Sequence, residues 1–210
     1  MQQEQNLNPQ KSKPKIWVII VGIIFAIVCL CVVGIGAFSI YTDLQQNQYV
    51  GKPTPIPEQI YVDLRTAALN RKASELGLEV DVNSNQPYGI IMDWNLGSAT
   101  ATLVSFETGD ASLYYSTGGG WLGGYSVEKV NDTSIEFVNS AGEYVVKLNK
   151  VSEYPMPPVN HVRFYIVTPQ GVYGSDDIDD DSLTKDGVDF TSLFNAAQNV
   201  ISEIRIEMQK

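Results

Sequence analysis

The pattern of apolar and polar positions changes character along the chain, and each change marks a segment. Ile16 opens and Ile40 closes a run of 25 residues without one charged side chain. As a helix rising ~1.5 Å per residue, such a run reaches about 37 Å, enough to cross the ~30 Å hydrocarbon core of a bilayer with some tilt. We read residues 16–41 as a single transmembrane helix, with the lipid bilayer as its partner from Ile16 to Ile40. Trp17 and Tyr41 stand at its two ends, where amphipathic rings settle. Residues 1–15 are rich in Gln, Asn, Pro and Lys and offer little to bury, which predicts a disordered tail. Residues 42–57 end in Lys-Pro-Thr-Pro-Ile-Pro, and prolines at alternate positions favour an extended spacer. Residues 58–210 have the length of one domain.

Within that domain the period alternates between helix and strand. Ile60, Leu64 and Ala67/Ala68 predict a helix over 58–70 with these residues on its buried face, and 73–78 a further short turn. Strands are predicted at 88–96, 99–107 and 111–117, joined by Gly97-Ser98 and Thr108-Gly109-Asp110. A glycine loop follows, and then a long helical pattern from Val127 to Val151 with Gly142 as its weak point. A proline-rich stretch over 154–158 ends it. Strands at 162–168 and 172–175 turn through Pro169-Gln170-Gly171. A last helix starts near Asp189, a good N-cap, and carries Phe190, Leu193, Ala197, Ile201, Ile204 and Met208 on one stripe. The order α-β-β-β-α-β-β-α predicts an α+β domain. Strands joined by short turns run antiparallel, so the sheet should be five-stranded and mainly antiparallel.

Charge orients and restricts the molecule. Lys11, Lys13 and Lys15 precede the apolar run, whereas the nearest downstream cation is Lys52. The positive-inside bias puts the N-terminus in the cytoplasm and the C-terminal domain outside, which makes this a single-pass protein of the cell membrane. The rival reading is a cleaved signal peptide ending near Ala37-Phe38-Ser39, but its apolar region should be shorter. Of the 14 Lys+Arg and 24 Asp+Glu, the first 15 residues hold three and one, leaving 11 and 23, a net of −12. So acidic a domain argues against nucleic acid as a partner. Cys29 and Cys31 are the only cysteines and both fall within the apolar run, so the domain has no disulfide.

Candidate chemistry is sparse. Gly118, Gly119, Gly120, Trp121, Gly123 and Gly124 form the most unusual local stretch. The glycines satisfy G-x-G-x-x-G, but a strand meander precedes them instead of a β-α-β unit, and no basic residue lies within the loop to meet a phosphate. The loop is read as a binding candidate with Trp121 as a contact residue, the alternative being that Trp121 plugs the sheet. Asp177, Asp179 and Asp181 have the opening spacing of a calcium loop, although Ser182 and Val188 stand where glycine and glutamate belong. His161 is the only histidine, and no nucleophile motif accompanies it. Asp93, between Met92 and Trp94 in a strand, is the least expected acid. The expectation is a non-enzymatic, membrane-anchored binding or scaffold module with a protein partner and no cofactor. The alternative is a carboxylate-dependent hydrolase at the cell surface using Asp93.

Overall fold

The computed structural model describes residues 57–210. The predicted tail, the predicted transmembrane helix and the spacer up to residue 56 lie outside the described residues. Among the described residues no helix is long and apolar enough to cross a membrane.

The domain is α+β, with three α-helices and an antiparallel sheet. Helix α1 spans Gln59–Leu69, α2 Glu128–Ser140 and α3 Thr191–Glu207. The principal strands are β1 (Gly89–Asn95), β2 (Thr100–Phe106), β3 (Ala111–Tyr115), β6 (His161–Thr168) and β7 (Gly171–Gly174). Short strands β4 (Gly120–Trp121), β5 (Asn149–Val151) and β8 (Ile178–Asp179) extend the sheet to eight, in the order β4-β3-β2-β1-β6-β7-β5 with β8 also on β6. The fragments β9 (Thr184–Lys185) and β10 (Val188–Asp189) form a separate two-stranded ribbon.

The central strand β1 lies between β2 and β6, and α2 links the meander to the second hairpin. Both faces of the sheet are covered. Ile90, Met92, Leu103, Phe164 and Ile166 pack with Phe137 of α2 and Leu193, Ala197 and Ile204 of α3. On the other face Ile91, Val104, Tyr165 and Val167 pack with Tyr61, Ala68 and Leu69 of α1. Successive strand side chains alternate between the faces, so β1 sends Ile90, Met92 and Trp94 one way and Ile91, Asp93 and Asn95 the other.

Three expectations are corrected. The sheet expected to have five strands has eight, because the short strands β4, β5 and β8 pair with the unoccupied edges of β3, β7 and β6. The helix expected up to Val151 stops at Ser140, gives way to a 3₁₀ turn over Ala141–Lys147, and is followed by β5. A spacing of three residues fits both helix types, so the periodicity could not separate them. Gly142 weakens the α-form, and the tighter turn stacks Tyr144 on Phe190 at 5.4 Å. Helix α1 is also rotated about its axis relative to the expected face. Its buried residues are Tyr61, Arg65, Ala68 and Leu69, whereas Ile60 is 63% exposed. The last helix starts at Thr191, and Asp189 accepts the Thr191 backbone N–H at 2.8 Å. The Thr191 hydroxyl first, and this backbone N–H second, hold the Asp189 carboxyl below its ordinary range.

Candidate functional site

The rotation of α1 has one physical cause. Asp93 sits at the middle of the central strand with 0% exposure. A buried carboxylate needs a cation and hydrogen bonds. Arg65 of α1 supplies them, donating from Nη2 at 2.6 Å and from Nε at 2.9 Å to Oδ2. The Thr102 hydroxyl donates to Oδ1 at 2.6 Å. Thr102 spends its one proton on that bond, so at 2.8 Å the Tyr61 hydroxyl is the donor to Thr102 Oγ1. The register sets Asp93 opposite Thr102 on one side and Arg163 on the other, and Thr102 opposite Tyr114. A polar row thus crosses the sheet beneath α1. Arg163 turns away from Asp93 and bonds Asp177 at 2.5 Å. For Arg65, burial would lower the pKa, but the attraction and hydrogen bonds of Asp93 outweigh it and the net shift is upward.

Tyr114 is the exception in this row. Its hydroxyl is buried and has no hydrogen-bond partner among the described residues. Its ring meets Tyr61 edge-on at 5.8 Å. Tyr61 and Tyr114 form the floor of a groove of about 240 Å³ between α1 and the glycine loop, lined also by Ile60, Leu64, Tyr115, Gly118, Gly119, Gly120 and Leu122. None of these lining residues is charged. A burial cost of ~1–3 kcal/mol attaches to an unpaired hydroxyl. Tyr114→Phe is therefore expected to leave stability unchanged or raise it by about 1 kcal/mol, read from the urea midpoint. A loss above ~1 kcal/mol would show that the hydroxyl has a partner.

The phenols also set a pH limit. Burial first, and the nearby Asp93 carboxylate second, push Tyr61 and Tyr114 far above the ordinary tyrosine value. A pKa raised in the folded state gives stability that is full below the unfolded value of ~10 and falls as pH rises beyond it. Titration followed by tyrosinate absorbance and circular dichroism should show these phenols ionising only as the helical signal collapses. Complete ionisation near pH 10 with an intact fold would contradict their burial.

The glycine loop takes part in this groove through Gly118, Gly119 and Gly120. Gly120 has φ +145° and pairs with Tyr114, and a Cβ there would lie 2.4 Å from the Leu113 carbonyl oxygen. A Cβ on Gly118 would meet the Glu58 carboxylate at 2.6 Å. Trp121 is partly buried and packs on the core cluster of the α2–α3 face, with Gly124 beneath its ring. Gly123 adopts φ +83° at the start of the short turn Gly124–Ser126. The exposed apolar side chain of the loop is Leu122, at 56%.

The acidic loop is engaged within the fold. Asp177 pairs with Arg163, Asp179 Oδ1 accepts the backbone N–H of Asp181 and of Ser182, and Asp180 accepts the Trp94 indole N–H at 2.8 Å. Asp177, Asp179 and Asp181 are not brought together as a cation cluster, and among the described residues no group of three His, Cys, Asp or Glu could hold a metal ion. The His161 Nδ1 lies 2.8 Å from the Val159 carbonyl oxygen. The Asn131 amide nitrogen donates to the Thr108 carbonyl at 3.2 Å, which ties the start of α2 to the β2–β3 turn.

Sequence reasoning missed Arg65, Thr102, Tyr61 and Tyr114 as one cluster. The available signal was Asp93 itself, since an acid in the middle of an apolar strand requires a cation from a neighbouring element. Comparison with protein-family models, with curated proteins and with solved structures found no match for this chain.

Proposed function

We propose that the protein is a membrane-anchored, extracytoplasmic binding or scaffold module, non-enzymatic, that takes an apolar segment of a protein partner in the groove between α1 and the glycine loop. The observation that carries this reading is the groove itself: an uncharged, tyrosine-floored channel with Ile60 and Leu122 exposed at its lips, on a domain otherwise crowded with carboxylates. Exposed apolar side chains beside a preformed concavity are the ordinary anchors of recognition. Asp93 favours the binding reading over hydrolysis. Both of its oxygens are committed to Arg65 and Thr102 inside the protein, which leaves neither oriented toward a substrate.

A photo-crosslinking residue at position 122 of the full-length protein in its own membrane tests this reading. One dominant protein should be captured, and the same protein should co-purify with the natural chain but not with Leu122→Asp. Val146, 87% exposed, is the control position. An identical capture profile at 122 and 146 would remove the groove as a binding site. Protease added outside intact cells should digest the domain; full protection would reverse the topology.

A further inference from the structure

The groove does not end at Leu122. A second hollow of about 120 Å³ lies further along the space between α1 and β3, and Leu64, Tyr114 and Leu122 line both. Its walls include Ala67 and Ala68 of α1 and Ser112 of β3, side chains too small to fill the space between the two elements. Together the hollows reach the lower end of the ~300–1,000 Å³ range of small-ligand sites. Asp110 immediately precedes β3, and Asp110, Ser112 and Tyr114 alternate along the chain, so they form a row facing α1 at steps of about 6.8 Å. Two polar atoms of this row are buried with no hydrogen-bond partner among the described residues, the Tyr114 hydroxyl and Asp110 Oδ1. Tyr114 as a whole is 4% exposed. Folded interiors pair nearly all such atoms, so two in one hollow mark a place where a ligand completes the bonding. Burial holds Tyr114 as the neutral phenol, a hydrogen-bond donor, whereas the carboxylate oxygen accepts. The hollow also holds one base, Arg71, beside the one acid, so an ion of either sign would meet a like charge there. Leu122 stands between the hollows and is 56% exposed. An exposed side chain exchanges rotamers within nanoseconds, so Leu122 can turn aside to join them.

We propose that the two hollows are one site for an extended, uncharged peptide segment, with an apolar side chain seated among Tyr61, Tyr115 and the glycines and the backbone laid along the row of Asp110, Ser112 and Tyr114. The Tyr114 hydroxyl donates to a backbone carbonyl of the segment, and Asp110 Oδ1 accepts a backbone N–H. The inference rests on the groove being the binding site, and it names the chemistry the groove selects. An extended chain presents its carbonyl and N–H groups on one side every two residues, the same step as the polar row. A hydrocarbon or lipid tail offers neither group and would leave both buried atoms unpaired. Tyr114 then sets specificity, because its hydroxyl serves the ligand and not the fold.

The test uses the full-length chain in nanodiscs and a capped amino acid, N-acetyl-photoleucine-N-methylamide, which carries one apolar side chain between two peptide groups. After irradiation, mass spectrometry should place saturable labelling on α1 or the glycine loop, with little at the exposed Val146. Unlabelled N-acetyl-leucine-N-methylamide should compete for it. Tyr114→Phe should keep the fold, read by circular dichroism, and weaken that competition about fivefold, the value of one hydrogen bond. N-acetyl-leucine methyl ester lacks one N–H and should compete about fivefold less well than the amide on the natural chain. Ser112→Leu fills the second hollow and should abolish labelling. Absence of saturable labelling would overturn the proposal, and so would labelling that spreads equally to Val146. Saturable labelling of the groove that ignores both Tyr114→Phe and the ester would sink the peptide chemistry and leave the groove reading standing. A partner captured at position 122 without any capped-leucine labelling would do the same. Failure of the groove itself is read separately, in equal capture at positions 122 and 146.

Discussion

Asp93→Ala should remove about 3–5 kcal/mol of folding stability, because it leaves the Arg65 guanidinium buried without its counter-charge. Against a total of ~5–15 kcal/mol for an ordinary domain, this is a large fraction. The cost arises from the orphaned cation more than from the lost attraction, since the desolvation of both charges nearly cancels what the pair gains. Arg65→Met combined with Asp93→Leu should therefore recover much of the loss. Recovery should stop short of complete, because Thr102 and Tyr61 would still lack the acceptor that terminates their hydrogen-bond chain. Urea denaturation of the two single variants and the double variant closes the thermodynamic cycle. A single-variant loss below about 1 kcal/mol would mean that water reaches Arg65 and that the pair is not sealed. Helix α1 should loosen first in hydrogen exchange, since Arg65 is its main polar tie to the sheet.

Gly120→Ala is expected to be the second most damaging change among those considered, and it acts on the groove directly. A backbone at φ +145° costs a side-chain-bearing residue ~1–3 kcal/mol. The added Cβ would also press on the Leu113 carbonyl oxygen at 2.4 Å and the Tyr114 Cα at 2.6 Å. These are backbone atoms and cannot swing aside, so β4 would have to leave β3. Gly119→Ala and Gly123→Ala form the comparison. Both glycines have positive φ, but a Cβ at either meets nothing within 4 Å. Each should cost only ~1 kcal/mol, the backbone penalty alone. Equal losses at positions 119, 120 and 123 would show that β4 does not hold the glycine loop in place. With that ordering, the loop's shape depends on Gly120, whereas Gly119 and Gly123 can be varied to probe binding.

Much of the architecture was legible in the order of elements. The strands at Gly89–Asn95, Thr100–Phe106 and Ala111–Tyr115 are short, β-branched or aromatic, and separated by glycine turns, so local chemistry already marks them. The stripe of α3 was legible too, since Leu193, Ala197, Ile201 and Ile204 repeat at helical spacing and are buried. The short strands β4, β5 and β8 were not, because two or three residues carry no period of their own. They exist only because a neighbouring strand offers an unpaired edge.

Part of the candidate site was legible and part was not. The glycine loop stands out in any reading, and three of its glycines line the groove. Its exposed anchor, Leu122, was hidden beside the larger Trp121, whose ring packs on the core. Helix α1 shows the limit most clearly. Its apolar residues Ile60, Leu64 and Ala67 suggest one buried face, yet the helix turns Tyr61 and Arg65 inward. Helical periodicity measures the transfer of side chains to an average interior. It cannot include a single carboxylate 28 positions away that makes one patch of that interior demand a cation.

The sequence by itself determined the α+β class, the antiparallel pairing and the absence of any disulfide in the domain, because each follows from local period, turn residues or a count. The tertiary structure alone decided that β6 lies beside β1, that both sheet faces are covered, and that Arg65, Asp93, Thr102 and Tyr61 meet beneath α1. Strand order and buried-charge pairing depend on residues far apart in the chain, whose contact energies appear only once the sheet has closed.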